Sequence, residues 1–173
     1  MNDSDDVLQM ILSARELRAN RQKDFLERFG HSLVCFTLNI PGPDKNAVLY
    51  EHIHQEGLSH FLQLLQEKKV SVIHWEVEQS ILGMEGYISV DLDSALLKRM
   101  TIEIEDKHPL GRIFDFDVFG PDSSVWNRTS LGKERRKCLL CEDTAILCAR
   151  SRRHSLENLM NKIHNMGKAY FNR

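Results

Sequence analysis

The sequence lacks several features that would place it outside the globular, water-soluble classes. No stretch of its 173 residues approaches the roughly 18 consecutive apolar residues of a membrane-spanning helix. Its start, MNDSDDVLQM, has neither the basic nor the apolar region of a secretory signal. Internal repeats, low-complexity tracts and a clear linker are also missing. We therefore expect a cytoplasmic protein with no membrane partner, folded as one domain over residues 1–173 and long enough to bury a core.

Cysteine is scarce, and its distribution argues against a disulfide framework. Three of the four cysteines fall within eleven residues, as Cys138, Cys141 and Cys148, and His154 follows. Three thiolates and an imidazole form a ligand set for a structural Zn²⁺, and Cys-x-x-Cys has a recognised ligand spacing. The second half of the pattern matches no common zinc finger. The segment therefore predicts either a zinc site or reduced, buried thiols, both suited to a reducing compartment.

Charge is unevenly distributed, although the formal net charge is only −2. Residues 1–127 carry 12 Lys and Arg against 21 Asp and Glu, a net charge of −9, whereas residues 128–173 carry 11 against 4, a net charge of +7. The basic part is rich in arginine, which suits a substrate with several phosphates or a polyanion such as RNA. Between Trp126 and Tyr170 there is no aromatic residue on which bases could stack, which argues against nucleic acid.

Hydrophobic periodicity predicts an α+β fold, with a mixed or antiparallel sheet of about four to six strands and helices packed on it. In the third predicted helix, Leu96 and Ile104 are expected to be buried and Lys98 to face solvent. Gly57 is expected to interrupt the second. The predicted helices cover residues 6–29, 46–69, 93–107 and 155–171, and the predicted strands cover residues 31–40, 70–77, 86–92, 108–120 and 123–132.

Two aspartates lie one residue apart in the apolar segment HPLGRIFDFDVFG, residues 108–120. In a strand, Phe114, Phe116 and Val118 point to one face while Asp115 and Asp117 point to the other, with α-carbons about 6.6 Å apart. Carboxylates at this spacing repel each other unless they share a cation, and hard oxygen ligands suit Mg²⁺. The pattern predicts either a solvent-facing strand or the metal site of a phosphoryl- or nucleotidyl-transfer enzyme.

Three ordered motifs carry a resemblance to a known family. NIPGPDK (39–45), HPLGRIFDFDV (108–118) and RKCLLCEDTAILCARSRRHS (136–155) resemble the apo-citrate lyase phosphoribosyl-dephospho-CoA transferase family. The first helix, with Arg15, Arg18 and Gln22 on one face, extends the resemblance over essentially the whole chain. The resemblance implies a transferase that moves phosphoribosyl-dephospho-CoA from 2'-(5''-triphosphoribosyl)-3'-dephospho-CoA to a serine of the acyl-carrier subunit of citrate lyase, releasing pyrophosphate.

The resemblance also implies roles for particular residues. Asp115 and Asp117 would hold Mg²⁺, and Arg112 would join them as a catalytic residue. The expected ligands of the substrate phosphates are Lys45, Arg128, Arg135, Arg136, Arg150, Arg15 and Arg18. The enzyme is expected to be a monomer and to bind no nucleic acid.

A functionally analogous family resembles the polymerase-β-type nucleotidyltransferases. In those enzymes a Gly-Ser pair and a short helix precede the Asp-x-Asp strand. This chain lacks that pair, so a nucleotidyltransferase-like fold is at most a distant expectation. The alternative function is a zinc-stabilised basic module that binds RNA or protein.

Overall fold

The computed structural model describes residues 3–172 and contains five α-helices and five strands within that range. In chain order they are α1 (Asp3–Phe29), β1 (Ser32–Leu38), α2 (Val48–Glu67), β2 (Val72–Ser80), β3 (Gly83–Val90), α3 (Ser94–Lys107), β4 (Phe114–Phe119), β5 (Val125–Trp126), α4 (Ala145–Ser151) and α5 (Leu156–Phe171). All neighbouring strands pair antiparallel, in the order β2-β3-β1-β4-β5. The predicted α+β class is confirmed.

The main core lies on one face of the sheet. Strands β1, β3 and β4 point alternate apolar side chains to this face because successive side chains in a strand point in opposite directions. Fully buried Phe36, Ile88 and Phe116 pack there with Ile53 and Phe61 of α2. This face of the sheet is therefore covered by a dense layer of aromatic and aliphatic side chains, which fixes the central strands in place.

Helix α2 runs without a break through Gly57, so the predicted interruption is wrong. A Cβ at this position would lie 2.5 Å from Phe36 Cζ and 2.9 Å from two ring carbons of Phe114. The glycine therefore lets the helix approach the sheet closely and does not mark a turn.

Helix α1 covers part of the opposite face. Phe25 and Leu26 pack there with Leu33, Cys35 and Tyr87 in a smaller buried cluster. This agrees with the predicted first helix. Within residues 3–172, none of the helices is long and apolar enough to cross a membrane.

Helix α3 leads directly into β4. The Asp93 carboxylate caps the helix by accepting hydrogen bonds from the backbone of Ala95 and Leu96, each at 3.0 Å. The helix ends before Pro109, as predicted, because a residue that precedes proline avoids the α conformation. At Gly111 a Cβ would lie 2.5 Å from the carbonyl oxygens of Ile104 and Glu105. The absence of a side chain at Gly111 thus allows its backbone to approach the end of α3 closely.

The structure corrects several local predictions. Lys98 is only 5% exposed and Leu96 is 53% exposed, the reverse of the expected orientation. The partner strand predicted at residues 123–132 is limited to the two residues of β5. The β2–β3 turn lies at Ile81 and Leu82, and β3 begins at Gly83, three residues before the predicted start of that strand at residue 86. Helix α4 was not predicted at all.

Candidate functional site

Asp115 and Asp117 project from the face of β4 opposite the main core. Phe114, Phe116 and Val118 are fully buried, and the two aspartates alternate with them, as predicted. Both carboxylates line an open recess of about 410 Å³. A strand anchored by three buried side chains holds them in a fixed relation to each other.

The outer edge of β4 is closed by side chains. Strand β5 pairs only with its far end, so the backbone around Phe116 has no strand partner on that side. Lys98 Nζ donates to the Phe116 carbonyl oxygen at 2.6 Å, and the Phe116 N–H donates to Glu105 Oε1 at 3.2 Å. Arg136 Nη1 donates to the Phe114 carbonyl oxygen at 2.8 Å. Each exposed edge group is therefore satisfied by a charged side chain at the border of the recess.

Glu105 gathers the arginines of the recess. Its side chain is 2% exposed and pairs with both Arg128 and Arg136, with Arg128 Nη2 at 2.7 Å from Oε2. Arg128 also lies 2.8 Å from Asp106 Oδ1, and Arg136 Nη2 lies 3.1 Å from Asp115 Oδ1. The two guanidinium groups are thus oriented beside the aspartates by a buried carboxylate.

The pKa values of groups around the aspartates reflect both burial and neighbouring charges. Burial raises the pKa of Asp115 to about 6; the negative charges of Asp117 and Glu105 add to the rise, and Arg136 opposes it. Burial also lowers the pKa of Lys98, against the influence of Glu105. Burial is therefore the main cause of the rise, and the basic groups that line the recess offset the charge of its three carboxylates.

The donor set fits Mg²⁺. The ion prefers oxygen ligands and usually binds through one or two carboxylates, with water and substrate phosphates completing its shell. Among the side chains that the structure describes, the one convergence of three or more potential ligands is the cysteine and histidine cluster, so no third carboxylate from that set joins Asp115 and Asp117. Two carboxylates next to an open recess match this mode of binding.

Only some of the arginines expected to bind phosphate line the recess. Arg128, Arg135 and Arg136 do so. Arg112 donates to the backbone carbonyl of Lys137 and lines a neighbouring cavity together with Arg136. The structure therefore places Arg112 beside the recess and not within it.

The other predicted phosphate ligands lie elsewhere. Lys45 Nζ donates to the Ile40 carbonyl oxygen. Arg18 is held by Glu85 through two hydrogen bonds of 3.0 and 2.7 Å. Arg15 is exposed on α1, and Arg150 is exposed on α4 outside both lined surfaces. Of the seven predicted phosphate ligands, these four lie outside the recess.

Cys35 lies directly opposite Asp117 in the sheet. Its thiol is buried, and burial, with the charge of Asp117, raises its pKa. A protonated, enclosed thiol is a poor nucleophile, so Cys35 acts as a core residue.

The predicted zinc ligands converge. One potential ligand atom from each of Cys138, Cys141, Cys148 and His154 lies within 4.8 Å of the others. The Cys141 and Cys148 sulfurs are 3.4 Å apart, and His154 Nε2 is 3.3 Å from the Cys141 sulfur. These separations exceed a disulfide bond of about 2.05 Å and suit four ligands around one ion. The cluster can therefore hold a metal ion such as zinc.

Local backbone structure prepares this cluster. The Cys138 thiol is buried, yet hydrogen bonds from the backbone of Leu140 and Cys141 lower its pKa, which favours the thiolate that a metal requires. An isolated bridge between Lys137 and Thr144 closes the loop that carries the first two cysteines. The last ligand directly precedes Ser155, whose side chain caps α5. The cluster thus joins α4, α5 and the segment that carries Arg136.

Sequence reasoning missed Lys98 and Glu105. Both lie on the buried face of α3, together with Thr101, at i, i+3 and i+7. A polar row at helical spacing within an otherwise apolar stripe was the available signal.

An antiparallel α+β domain that presents two carboxylates beside convergent arginines has the make-up of a metal-assisted phosphoryl- or nucleotidyl-transfer enzyme. Comparison with known proteins agrees. The family model described as apo-citrate lyase phosphoribosyl-dephospho-CoA transferase matches residues 6–170. The chain belongs to this family, and it is an enzyme of the transferase class.

Individual relatives match over most of the chain. A probable apo-citrate lyase phosphoribosyl-dephospho-CoA transferase of Vibrio cholerae is 35% identical over 164 residues, which cover 94% of this chain and 92% of the relative. The Citrobacter koseri protein of the same name is 36% identical over 150 residues, covering 87% and 82%. Protein CitXG of Haemophilus influenzae is 29% identical over 93% of this chain, which spans only 35% of that longer protein.

Proposed function

We propose that this protein transfers the phosphoribosyl-dephospho-CoA group from 2'-(5''-triphosphoribosyl)-3'-dephospho-CoA to a serine of the acyl-carrier subunit of citrate lyase. Family membership supports the reaction class and favours it over a basic binding module. The observation that carries the site is the pair Asp115 and Asp117 on one face of β4, beside arginines oriented by Glu105.

The bond changes define what the recess must do. The serine oxygen attacks the α-phosphorus of the triphosphate, a new P–O bond forms, and the bond to the β-phosphate breaks, so pyrophosphate leaves with its electron pair. The serine proton passes to solvent or to the leaving group. Bound to Asp115 and Asp117, Mg²⁺ would supply positive charge to the phosphate oxygens. Arg128, Arg135 and Arg136 are positioned to hold phosphates, and Arg112 to hold the part of the substrate outside the recess.

Intact-mass analysis of the carrier tests this function. The parent protein, Mg²⁺, the triphosphoribosyl precursor and the apo carrier should yield a carrier heavier by the prosthetic group. Asp115→Asn/Asp117→Asn should give no mass gain while retaining the parent circular dichroism spectrum. Asp24→Asn, on the exposed surface of α1, is the matched control and should remain active. If the parent fails to modify the carrier, the proposed function is wrong.

We further propose that Cys138, Cys141, Cys148 and His154 bind one structural Zn²⁺. The four side chains leave no open position in a tetrahedral shell, which is typical of structural zinc. Elemental analysis of protein purified without added metal should find about one zinc per chain. Cys141→Ser should lose it, whereas Cys35→Ala, which alters a thiol that is not part of the cluster, should keep it. Zinc-free parent protein would contradict the assignment.

The remaining proposals concern the protein in the cell. We infer that residues 1–173 work as one cytoplasmic domain and as a monomer of 20.1 kDa. Light scattering coupled to size exclusion tests the monomer, since a dimer would elute with twice that mass.

A further inference from the structure

A cavity next to the aspartate recess has a different chemical character. It encloses about 540 Å³, within the range of small-molecule sites. Its walls are largely aliphatic, contributed by Pro41, Leu139, Leu156, Leu159 and Ile163. Leu156 is 48% exposed although it belongs to the apolar face of α5. An apolar concavity of this size, left open to water, is characteristic of a ligand site.

The cavity and the recess adjoin each other. Arg136 and Ala145 line both, and Arg136 reaches Asp115 from the wall between them. A substrate whose triphosphate lies over the aspartates must place the rest of its structure on a neighbouring surface. The cavity is the adjoining concave surface on the side of α5.

Basic groups also line the cavity. Arg112, Lys137 and Arg152 join Arg136 in its lining. In the described part of the chain, Arg112 and Arg152 form no ion pair within 4.0 Å, and Arg112 donates to a backbone carbonyl. Guanidinium groups without a carboxylate partner are suited to phosphate.

Aliphatic walls identify which part of the substrate fits. A dephospho-CoA group consists of adenosine, a diphosphate and a pantetheine arm. Adenine is commonly held by stacking on aromatic rings, and the cavity has no phenylalanine, tyrosine or tryptophan in its lining. The pantetheine arm is attached to the diphosphate. It begins with a branched aliphatic carbon and continues through two amides. Asn39 offers a side-chain amide for those polar groups.

Resting on the proposed function, we propose that this cavity binds the pantetheine arm of the substrate, with Arg112 and Arg152 at its diphosphate. The cavity shares Cys138, Cys148 and His154 with the metal-binding cluster. The cluster therefore shapes one wall of the subsite, which gives it a role in substrate binding without contact to the reacting phosphate.

A pair of substitutions on α4 tests the assignment. Ala149 lines the cavity and is exposed, so Ala149→Trp fills the cavity without disturbing the core. Leu147→Trp adds the same ring to the same helix at a position that is 58% exposed and outside the cavity. Isothermal titration uses dephospho-CoA, 4'-phosphopantetheine and ADP as probes. Zinc content and circular dichroism confirm that each variant is folded.

The parent should bind dephospho-CoA and 4'-phosphopantetheine, and Ala149→Trp should raise both dissociation constants at least tenfold while changing that of ADP less than twofold. Leu147→Trp should match the parent. In the transfer assay, Ala149→Trp should raise KM with kcat largely retained, because the lost contact is made equally before and during the reaction. If Ala149→Trp does not fold, Leu156→Glu with Leu147→Glu as control provides the same comparison.

Three results would overturn the proposal: no dephospho-CoA binding by the parent, equal behaviour of the two tryptophan variants, or a selective loss of ADP affinity, which would place adenosine in the cavity. These results are separable from failure of the proposed function. If the parent is active and Ala149→Trp has an unchanged KM, the subsite proposal is wrong and the transferase function stands. If the parent binds dephospho-CoA through the cavity but never modifies the carrier, the transferase function is wrong and the subsite proposal stands.

Discussion

Two buried glutamates have different roles in the molecule, one in stability and one at the site. Glu85 is 4% exposed and is bound by Arg18, Ser80 and Tyr87, so it ties α1 to the sheet. Glu105 is 2% exposed and orients arginines that border the aspartates. A carboxylate is rarely buried without partners, because leaving water costs several kcal/mol. In this fold one such group holds an element in place, and the other prepares a site.

Glu85→Ala should destabilise the protein by about 3 kcal/mol, because it leaves the half-buried Arg18 guanidinium and the buried Tyr87 hydroxyl without their partner. Urea unfolding followed by circular dichroism measures the change. The matched control is Glu76→Ala, which breaks the more exposed pair with Arg21 and should cost less than about 1 kcal/mol. Equal losses in the two variants would show that Glu85 does not anchor α1.

His54 should make stability depend on pH. Its ring is fully buried, stacks on Phe36 and hydrogen-bonds the Phe36 carbonyl at 3.2 Å. Burial lowers its pKa, against that hydrogen bond, so the unfolded chain takes up a proton at a higher pH than the folded protein. Stability from this group is therefore present above about pH 6.5 and is lost as the pH falls below it.

The measurement is the free energy of unfolding at pH 7.5 and pH 5.5 for the parent and for His54→Gln. The parent should lose more stability between these values than the variant does. Other groups that titrate in this range contribute to both proteins and cancel in the comparison. An identical pH dependence would contradict the assignment.

Among the secondary-structure elements, features set by neighbouring residues in the sequence were predictable, and features set by contacts with distant residues were not. Strand β4 was predictable because alternation in FDFDV reports burial directly. Lys98 was predicted to face solvent because its partner, the unpaired edge of β4, lies 18 residues away and leaves no mark on helical periodicity. Helix α4 has only seven residues and is fixed by its neighbours in the cysteine cluster. Such short elements carry too little intrinsic preference to be found from sequence.

The contact between α2 and the sheet should be intolerant of a single methyl group. Gly57→Ala improves intrinsic helix propensity by about 1 kcal/mol. Overpacking against Phe36 and Phe114 should outweigh that gain and give a net loss of about 1–3 kcal/mol. Thermal unfolding measures the result, and Ser59→Ala on the exposed side of the same helix should be nearly neutral. A more stable Gly57→Ala protein would disprove the close approach.

Helix α3 should control activity through its buried carboxylate. Glu105→Gln retains an acceptor for the Phe116 N–H but removes the charge that holds Arg128 and Arg136. We expect kcat/KM for transfer to fall at least tenfold, corresponding to about 1.4 kcal/mol. Asp106→Asn, which changes only the exposed partner of Arg128, should have a smaller effect. Equal rates for Glu105→Gln and the parent would exclude this positioning role.

In the whole molecule, the acidic and the basic parts of the sequence meet at the recess. The acidic residues 1–127 contribute Asp115 and Asp117, and the basic residues 128–173 contribute Arg128, Arg135 and Arg136. The sheet and α1 to α3 belong to the first part, and the cysteine cluster with α4 and α5 belongs to the second. The site therefore depends on how firmly the second part is held against the first.

Removing the metal should loosen residues 137–155 and leave the sheet intact. Between Arg136 and α5 the described backbone has one isolated bridge, the short α4 and few buried side chains, so a bound ion would supply much of its local stability. After treatment with a strong zinc chelator, hydrogen exchange measured by mass spectrometry should accelerate over residues 137–155. Amides of β1, β3 and β4 should stay protected because the aromatic core beneath them does not involve the cluster. Uniform acceleration would mean that the ion stabilises the whole fold, and unchanged exchange after verified metal loss would mean that the segment is ordered by its side chains alone.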